Sequence, residues 1–233
     1  YINTSKIDII RKNNFSSISK IINDSNDNFP NNINRCGKII YNKTKENINI
    51  LTDNDIVITI NSNRKIEKIT TISRLSYDFI SYNDNTGEVI VYSINEKLIE
   101  LNDDKNEIDI SGKPISSVYN SLNNKLNVIT DRNNLYSITD MDNISNYVTG
   151  GQANGYINVN IYDGNTYISS FTDSKIYVID TQSKRPLNTE ITNDVIPKLI
   201  YSINTKSIWG IEPISRNLIE IQSTIQSEII PDK

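Results

Sequence analysis

A short pattern recurs along this chain at nearly equal intervals, and a repeat of about 20–50 residues constrains the fold more than any other sequence feature. The pattern is a turn, one or two polar residues, and an apolar residue followed by another three positions later. Its successive copies are separated by 42, 37, 41 and 42 residues. The copy at Asp53–Ile58 is looser, and a further copy at Ser5–Ile10 lies about 49 residues before Ile56, a longer and less regular spacing. This regularity indicates one structural unit repeated along the chain, with apolar anchors at Ile56, Leu98, Leu135, Ile176 and Leu218.

Each unit contains four short segments rich in β-branched and aromatic residues, bounded by Asn, Asp, Gly, Ser or Pro, which is typical of β-strands joined by tight turns. Asn83–Gly87 and Tyr162–Asn165 are turn sequences in which a positive φ costs little. The predicted strands of the five units are Gly37–Asn42, Asn47–Thr52, Asp55–Ile60 and Lys65–Thr71; Tyr77–Tyr82, Glu88–Ser93, Lys97–Asn102 and Glu107–Ile110; Ile115–Asn120, Lys125–Thr130, Asn134–Thr139 and Ile144–Val148; Tyr156–Ile161, Thr166–Phe171, Lys175–Ile179 and Leu187–Ile191; and Lys198–Ile203, Ser207–Ile211, Asn217–Ile221 and Gln226–Ile230.

Four antiparallel strands in every 41 or so residues predict an all-β fold, a β-propeller of four-stranded blades. Helical solenoids would need a 3.6-residue period, which these units lack. Residues 33–233 are predicted to hold five blades, and residues 1–32 a half blade and a polar loop. Ser5–Asn23 also has apolar residues at helical spacing, so a helix stays open there. The missing half would lie upstream of Tyr1, giving six blades or more. The blades are expected at about 36–72, 76–111, 115–149, 156–192 and 197–231.

The composition excludes several classes of function. The 233 residues contain no histidine and one cysteine, Cys36, which removes histidine-based catalysis, histidine or multi-cysteine metal sites and disulfides. A formal charge of −4 and a pI near 5.0 argue against nucleic-acid binding. No apolar run approaches the length of a membrane span. The sequence indicates no cofactor and identifies no small-molecule ligand.

The units resemble the YVTN-type β-propeller repeat, a relative of WD-type and NHL-type propellers. The fourth unit carries the resemblance best, in Asn165–Ile168, Ser174–Thr181 and the following Ile196-Pro197, and weaker versions are Asn134–Asp140 and Gly112–Pro114. Most units lack the Gly-x-x-Pro that usually closes this repeat. The resemblance implies a binding scaffold, often on cell surfaces or in assemblies, and implies no reaction.

Three aspartates follow a threonine at the turn before the third strand, and they are Asp53, Asp131 and Asp173. Loops of this kind share one face of a propeller, so these carboxylates are candidates for a partial ring that binds a cation or a basic partner. The alternative is that each aspartate accepts hydrogen bonds within its own turn.

The most glycine-rich loop between units, at positions 150–155, is the best sequence candidate for a contact surface. Tyrosines surround it, and tyrosine is enriched at protein interfaces because it joins apolar area to a polar tip. The alternative is a connector whose tyrosines pack between sheets. The predicted contact residues are Tyr147, Gly150, Gly151, Gln152, Asn154, Tyr156 and Tyr162.

The sequence therefore favours a non-enzymatic scaffold that binds protein partners within a larger assembly, such as a virion (a phage tail or surface protein) or a microbial surface. The alternative is a divalent-cation-dependent propeller hydrolase or lactonase, since hard cations need only oxygen ligands. Against it, the predicted first strands carry no acidic residues at equivalent positions.

Overall fold

The computed structural model describes residues 36–149, 153–180, 186–192 and 194–222. Within these residues the chain forms nineteen β-strands and no helix. The chain divides into two compact units between Asp109 and Ile110. The strands are β1 (Cys36–Asn42), β2 (Asn47–Thr52), β3 (Ile56–Ile60), β4 (Ile66–Thr71), β5 (Leu75–Tyr82), β6 (Val89–Ser93), β7 (Lys97–Glu100), β8 (Glu107–Asp109), β9 (Pro114–Asn120), β10 (Lys125–Thr130), β11 (Asn134–Ile138), β12 (Ile144–Val148), β13 (Ile157–Val159), β14 (Asn165–Ser169), β15 (Lys175–Asp180), β16 (Pro186–Ile191), β17 (Leu199–Ser202), β18 (Ser207–Glu212) and β19 (Asn217–Ile221).

Consecutive strands pair antiparallel within each sheet, as the repeat predicts. The first unit contains sheet 1 (β1–β4) and sheet 2 (β5–β8), and the second contains sheet 3 (β9–β12), sheet 4 (β13–β16) and sheet 5 (β17–β19). The all-β fold class and the four-stranded antiparallel sheet are therefore confirmed. The predicted fourth strand of sheet 5, Gln226–Ile230, and the predicted half blade at residues 1–32 lie outside the described residues.

Several predicted strands run too far at their C-terminal ends, and two of them are first strands of the second unit. Strand β13 ends at Val159 and β17 ends at Ser202, so Ile161 and Ile203 belong to turns. Local hydrogen bonds accompany both ends: the Asn160 side chain accepts a bond from the Tyr162 amide at 2.9 Å after β13, and Ser202 Oγ accepts one from the Thr205 amide at 3.4 Å at the end of β17. An asparagine ends the first strand, or directly follows it, in sheets 1 to 4.

Each turn between a first and second strand contains one residue of positive φ near its end, which is the geometry of a type I turn followed by a left-handed residue. Glycine supplies it at Gly87 (φ 71°) and Gly164 (φ 75°), inside the two turn sequences noted above. The other three turns use Glu46, Asn124 and Lys206.

The core lies between neighbouring sheets of each unit. In the first unit, Leu51 and Val57 of sheet 1 pack with Ile80, Val91 and other residues of sheet 2. In the second unit, one apolar cluster joins sheets 3 and 4 and another joins sheets 4 and 5. Because each strand alternates its side chains between two faces, every sheet that lies between two others must be apolar on both faces.

The segment leading into each of sheets 3, 4 and 5 is tied to the turn between the second and third strands of the same sheet. The Lys113 amide donates to Asp131 Oδ1 at 2.8 Å in sheet 3. The Phe171 amide donates to Asn154 Oδ1 at 3.2 Å in sheet 4, and the Ile214 amide donates to Asp194 Oδ2 at 2.6 Å in sheet 5. In each sheet a side-chain oxygen therefore accepts a hydrogen bond from a backbone amide that has no partner on a neighbouring strand.

Candidate functional site

Two of the three candidate aspartates use their carboxylates locally. Asp131 exchanges hydrogen bonds with Lys113, since its own amide donates to the Lys113 carbonyl at 2.9 Å and its Oδ1 accepts the Lys113 amide. Asp173 Oδ2 accepts the Tyr177 hydroxyl at 3.0 Å and lies 3.4 Å from Lys175 Nζ. These contacts match the turn-stabilising alternative.

Asp53 lies in the turn between β2 and β3 of sheet 1, close to Cys36. Its Oδ1 is buried and has no hydrogen-bond partner among the described residues. Burial raises the pKa of the Cys36 thiol, and the charge of Asp53 raises it further. Across the described ranges, no three acidic or cysteine side chains come close enough to hold a metal ion. The predicted cation ring stays a prediction.

The environment of Asp173 predicts a pH-dependent contribution to stability. Burial alone would raise its pKa, but hydrogen bonds from Ser170 and Tyr177, together with Lys175, bring the pKa below the usual 3.8. Because the folded state favours the carboxylate, the stabilisation is present above the unfolded pKa and is lost as pH falls through the folded-state pKa.

We therefore expect Asp173→Asn to lower the free energy of unfolding at pH 7, and the difference from wild type to shrink on acidification below about pH 4. Urea unfolding of both proteins at several pH values measures it. A difference that does not change with pH would contradict this account.

The structure separates the tyrosines predicted for the contact loop. Tyr147, on β12, is half-buried against the apolar cluster between sheets 3 and 4. Tyr156 precedes β13 and meets Phe171 edge to face, with ring centroids 5.5 Å apart. Tyr162 follows β13, so the strand places it at the opposite end of the sheet from Tyr156. Asn154 binds the Phe171 amide.

Gly150, Gly151 and Gln152 lie outside the described residues. The contact loop stays a prediction.

Tyr162 belongs instead to a set of exposed apolar side chains on three turns of the second unit. These turns join the first and second strands of sheets 3, 4 and 5. We call this set the turn-tip surface. Its members, with their exposed fractions, are Leu122 (56%), Ile161 (42%), Tyr162 (51%) and Ile203 (78%).

Contacts between the three turns bring them next to one another. Leu122 Cδ1 lies 3.4 Å from the position that a Cβ on Gly164 would take, which brings the turns of sheets 3 and 4 together. Asn160 Nδ2 donates to the Lys206 carbonyl at 3.0 Å, which ties the turns of sheets 4 and 5. The Lys206 Nζ lies 4.3 Å from the centre of the Tyr162 ring, within range of a cation–π interaction.

The equivalent turns of the first unit are polar. Lys43–Glu46 and Asp84–Thr86 contain no apolar residue, and Thr44 Oγ1 donates to the Asp84 carbonyl at 2.6 Å. A polar tip is therefore sufficient to form and join these turns. Folding of the turns therefore does not explain why the equivalent turns of the second unit carry exposed apolar side chains.

Sequence reasoning selected Tyr162 and missed its neighbours, because Ile161 and Ile203 were assigned to strands. A signal was available in the asparagines at 42, 83, 120 and 160, which are spaced by 41, 37 and 40 residues. Each is almost fully buried and marks the end of a first strand. The apolar residues directly after Asn160 are therefore in a turn.

Comparison with known proteins identifies the fold. No protein-family model matches the sequence, and no curated protein matches it. A solved structure of a catalytically inactive histidine-to-alanine variant of virginiamycin B lyase from Staphylococcus aureus, with quinupristin, is similar, with a TM-score of 0.59 and 16% identity over 85% of this chain and 73% of that chain.

Two further similar structures are the β-propeller domain of Cps50 (Swd1) from Myceliophteria thermophila and a chain of the mitotic checkpoint complex. The first has a TM-score of 0.62 and 13% identity, over 86% of this chain and 71% of that one. The second has a TM-score of 0.64 and 12% identity, over 81% of this chain and 63% of that one. The fold is therefore that of a β-propeller. Nowhere among the described residues is there a helix that could cross a membrane.

Proposed function

We propose that this chain is a non-enzymatic β-propeller scaffold that recognises a protein partner through the turn-tip surface. The observation that carries the proposal is the set of exposed apolar side chains on three adjacent turns, Leu122, Ile161, Tyr162 and Ile203. Turn tips are normally polar, and a continuous exposed apolar surface marks an interaction site.

The chemistry of the turn-tip surface suits a protein interface. Aliphatic and tyrosine side chains supply apolar area, and Tyr162 adds a hydroxyl group. The Lys206 ammonium above the Tyr162 ring holds that ring in place by the cation–π contact. The same three turns also contain the polar residues Asn123, Asp163 and Asn204. An apolar centre with a polar rim is the usual anatomy of a protein-binding patch.

One similar structure is named as a complex, which shows that a chain of this fold can act within an assembly. The similar lyase gives some weight to the enzymatic alternative, a cation-dependent hydrolase or lactonase. That lyase is inactive when one histidine is replaced by alanine, and the present 233 residues contain no histidine. The scaffold is therefore the function that we favour.

We propose that the scaffold works in a larger assembly, such as a virion or a microbial surface structure. We also propose that its repeats are of the YVTN type. The composition rich in Ile and Asn, which suits an AT-rich genome, and the motifs of the fourth unit support these two points.

Site-specific photo-crosslinking tests the proposed function. A photoreactive phenylalanine analogue replaces Ile203 in the turn-tip surface or, as the control, Ile214, which is 85% exposed in the turn at the opposite end of sheet 5. In extracts of the native source, we expect discrete crosslinked products from position 203 and none from position 214. Products from position 214 alone, or none from either, would contradict the proposal.

A further inference from the structure

A polar cleft lies between sheets 1 and 2 of the first unit, whereas the turn-tip surface belongs to the second unit. It has a volume of about 350 Å³, within the range of small-molecule sites. Strands β2, β3 and β4 of sheet 1 form one side of it. The turn before β6 and the segment after β7 form the other side.

One wall of the cleft is a chain of hydrogen-bonded polar side chains. Thr59 Oγ1 donates to Asn49 Oδ1 at 2.8 Å, and Asn49 Nδ2 donates to Asn47 Oδ1 at 2.9 Å. Asn47 Nδ2 then reaches Glu67 Oε2 at 3.4 Å. Asn49 is 1% exposed and Asn47 6%. Their positions are thus fixed by burial and by neighbouring bonds. Among the described residues, each of these amide nitrogens uses one of its two N–H groups and Glu67 uses one of its two oxygens, which leaves the others for a ligand.

The facing wall combines apolar surface with charge. Val89 and Leu101 line the cleft and are nearly buried. Two ion pairs span the two sheets: Lys45 Nζ is 2.6 Å from Glu88 Oε1, and Lys68 Nζ is 3.7 Å from Asp103 Oδ1. Both lysines that line the cleft therefore already face a carboxylate.

We propose that this cleft binds a neutral saccharide unit. Sugar hydroxyls both donate and accept hydrogen bonds, so they match a wall that presents amide N–H groups beside carboxylate oxygens. The C–H face of a sugar ring is apolar and matches Val89 and Leu101. Anionic ligands are disfavoured, because the lining carries three carboxylates, those of Glu67, Glu88 and Asp103, against two lysines.

Isothermal titration of the full chain with D-glucose, D-galactose and N-acetyl-D-glucosamine tests the proposal, with glucose 6-phosphate as the anionic comparison. We expect at least one neutral sugar to bind with a dissociation constant of about 1 mM. Glu67→Ala should weaken this binding by about tenfold. Glu107→Ala is the matched control, because Glu107 is also an exposed glutamate on a fourth strand of the first unit and does not line the cleft.

Saturable binding of a neutral sugar that is weakened by Glu67→Ala and not by Glu107→Ala would support the proposal. Absence of saturation by all three neutral sugars would overturn it, as would equal binding by both variants. Tighter binding of glucose 6-phosphate than of glucose would also overturn it. None of these outcomes depends on the turn-tip surface, so the two proposals succeed or fail separately.

Discussion

Replacing Tyr167 with alanine is expected to lower the free energy of unfolding by about 3–5 kcal/mol, as for other large aromatic side chains removed from a core. Tyr167 is fully buried on β14, where it belongs to the apolar cluster between sheets 4 and 5 with Ile176, Leu199 and Ile208. The substitution leaves a cavity. The neighbouring side chains, most of which are stiff, β-branched isoleucine or valine, fill it poorly. Chemical denaturation of the full chain measures the effect.

Tyr167→Phe is the matched control, because it keeps the ring and removes only the hydroxyl, which donates to Asp163 Oδ2 at 2.9 Å. We expect a loss of about 1 kcal/mol, the usual value for one hydrogen bond. Asp163 Oδ2 keeps a second donor in Asn160 Nδ2 at 3.3 Å. If alanine and phenylalanine cost the same, the ring does not hold sheets 4 and 5 together.

The strands were predictable because two signals agree in every unit. The apolar anchors recur near every 41 residues, and each strand is bounded by residues that favour turns. Strand β11, for instance, was predicted as Asn134–Thr139 and ends one residue earlier, at Ile138. Pairing of consecutive strands then follows from the short turns between them.

The geometry of the turns between first and second strands was less predictable, because three of the five residues with positive φ in these turns are not glycine. Glu46 and Lys206 adopt φ values of 51° and 56°. A left-handed residue that is not glycine costs about 1–2 kcal/mol. Strand pairing on both sides of the turn offsets this cost. Rules based on the propensity of single residues do not include that pairing, so they do not predict a positive φ at Glu46 or Lys206.

The turn-tip surface could be predicted only in part, because it depends on where strands end. Isoleucine is a common strand residue, and at Ile161 and Ile203 the side chain of the preceding residue, Asn160 or Ser202, accepts a backbone hydrogen bond within a turn. That three such turns are adjacent is a property of the sheet arrangement in the second unit. The sequence alone shows these residues but does not show that their turns lie next to one another.

The double variant Leu122→Ser with Ile203→Ser is expected to weaken partner binding by tenfold or more. Each side chain is more than half exposed. A tenfold loss needs about 1.4 kcal/mol of binding free energy, which two anchor residues of an interface supply together if each is a hot spot that costs over about 1 kcal/mol when truncated. Because both side chains lie at turn tips, the free energy of unfolding should change by no more than about 0.5 kcal/mol for each substitution. Ile214→Ser is the control, since it removes an exposed isoleucine from the opposite end of sheet 5.

Co-purification from the native source with the tagged wild-type chain, the double variant and the control variant tests the turn-tip surface most directly. We expect the same proteins to be retained by the wild type and by Ile214→Ser and to be lost from the double variant, whose melting temperature stays within a few degrees of wild type. Equal retention by all three chains, or retention of no protein by the wild type, would contradict it.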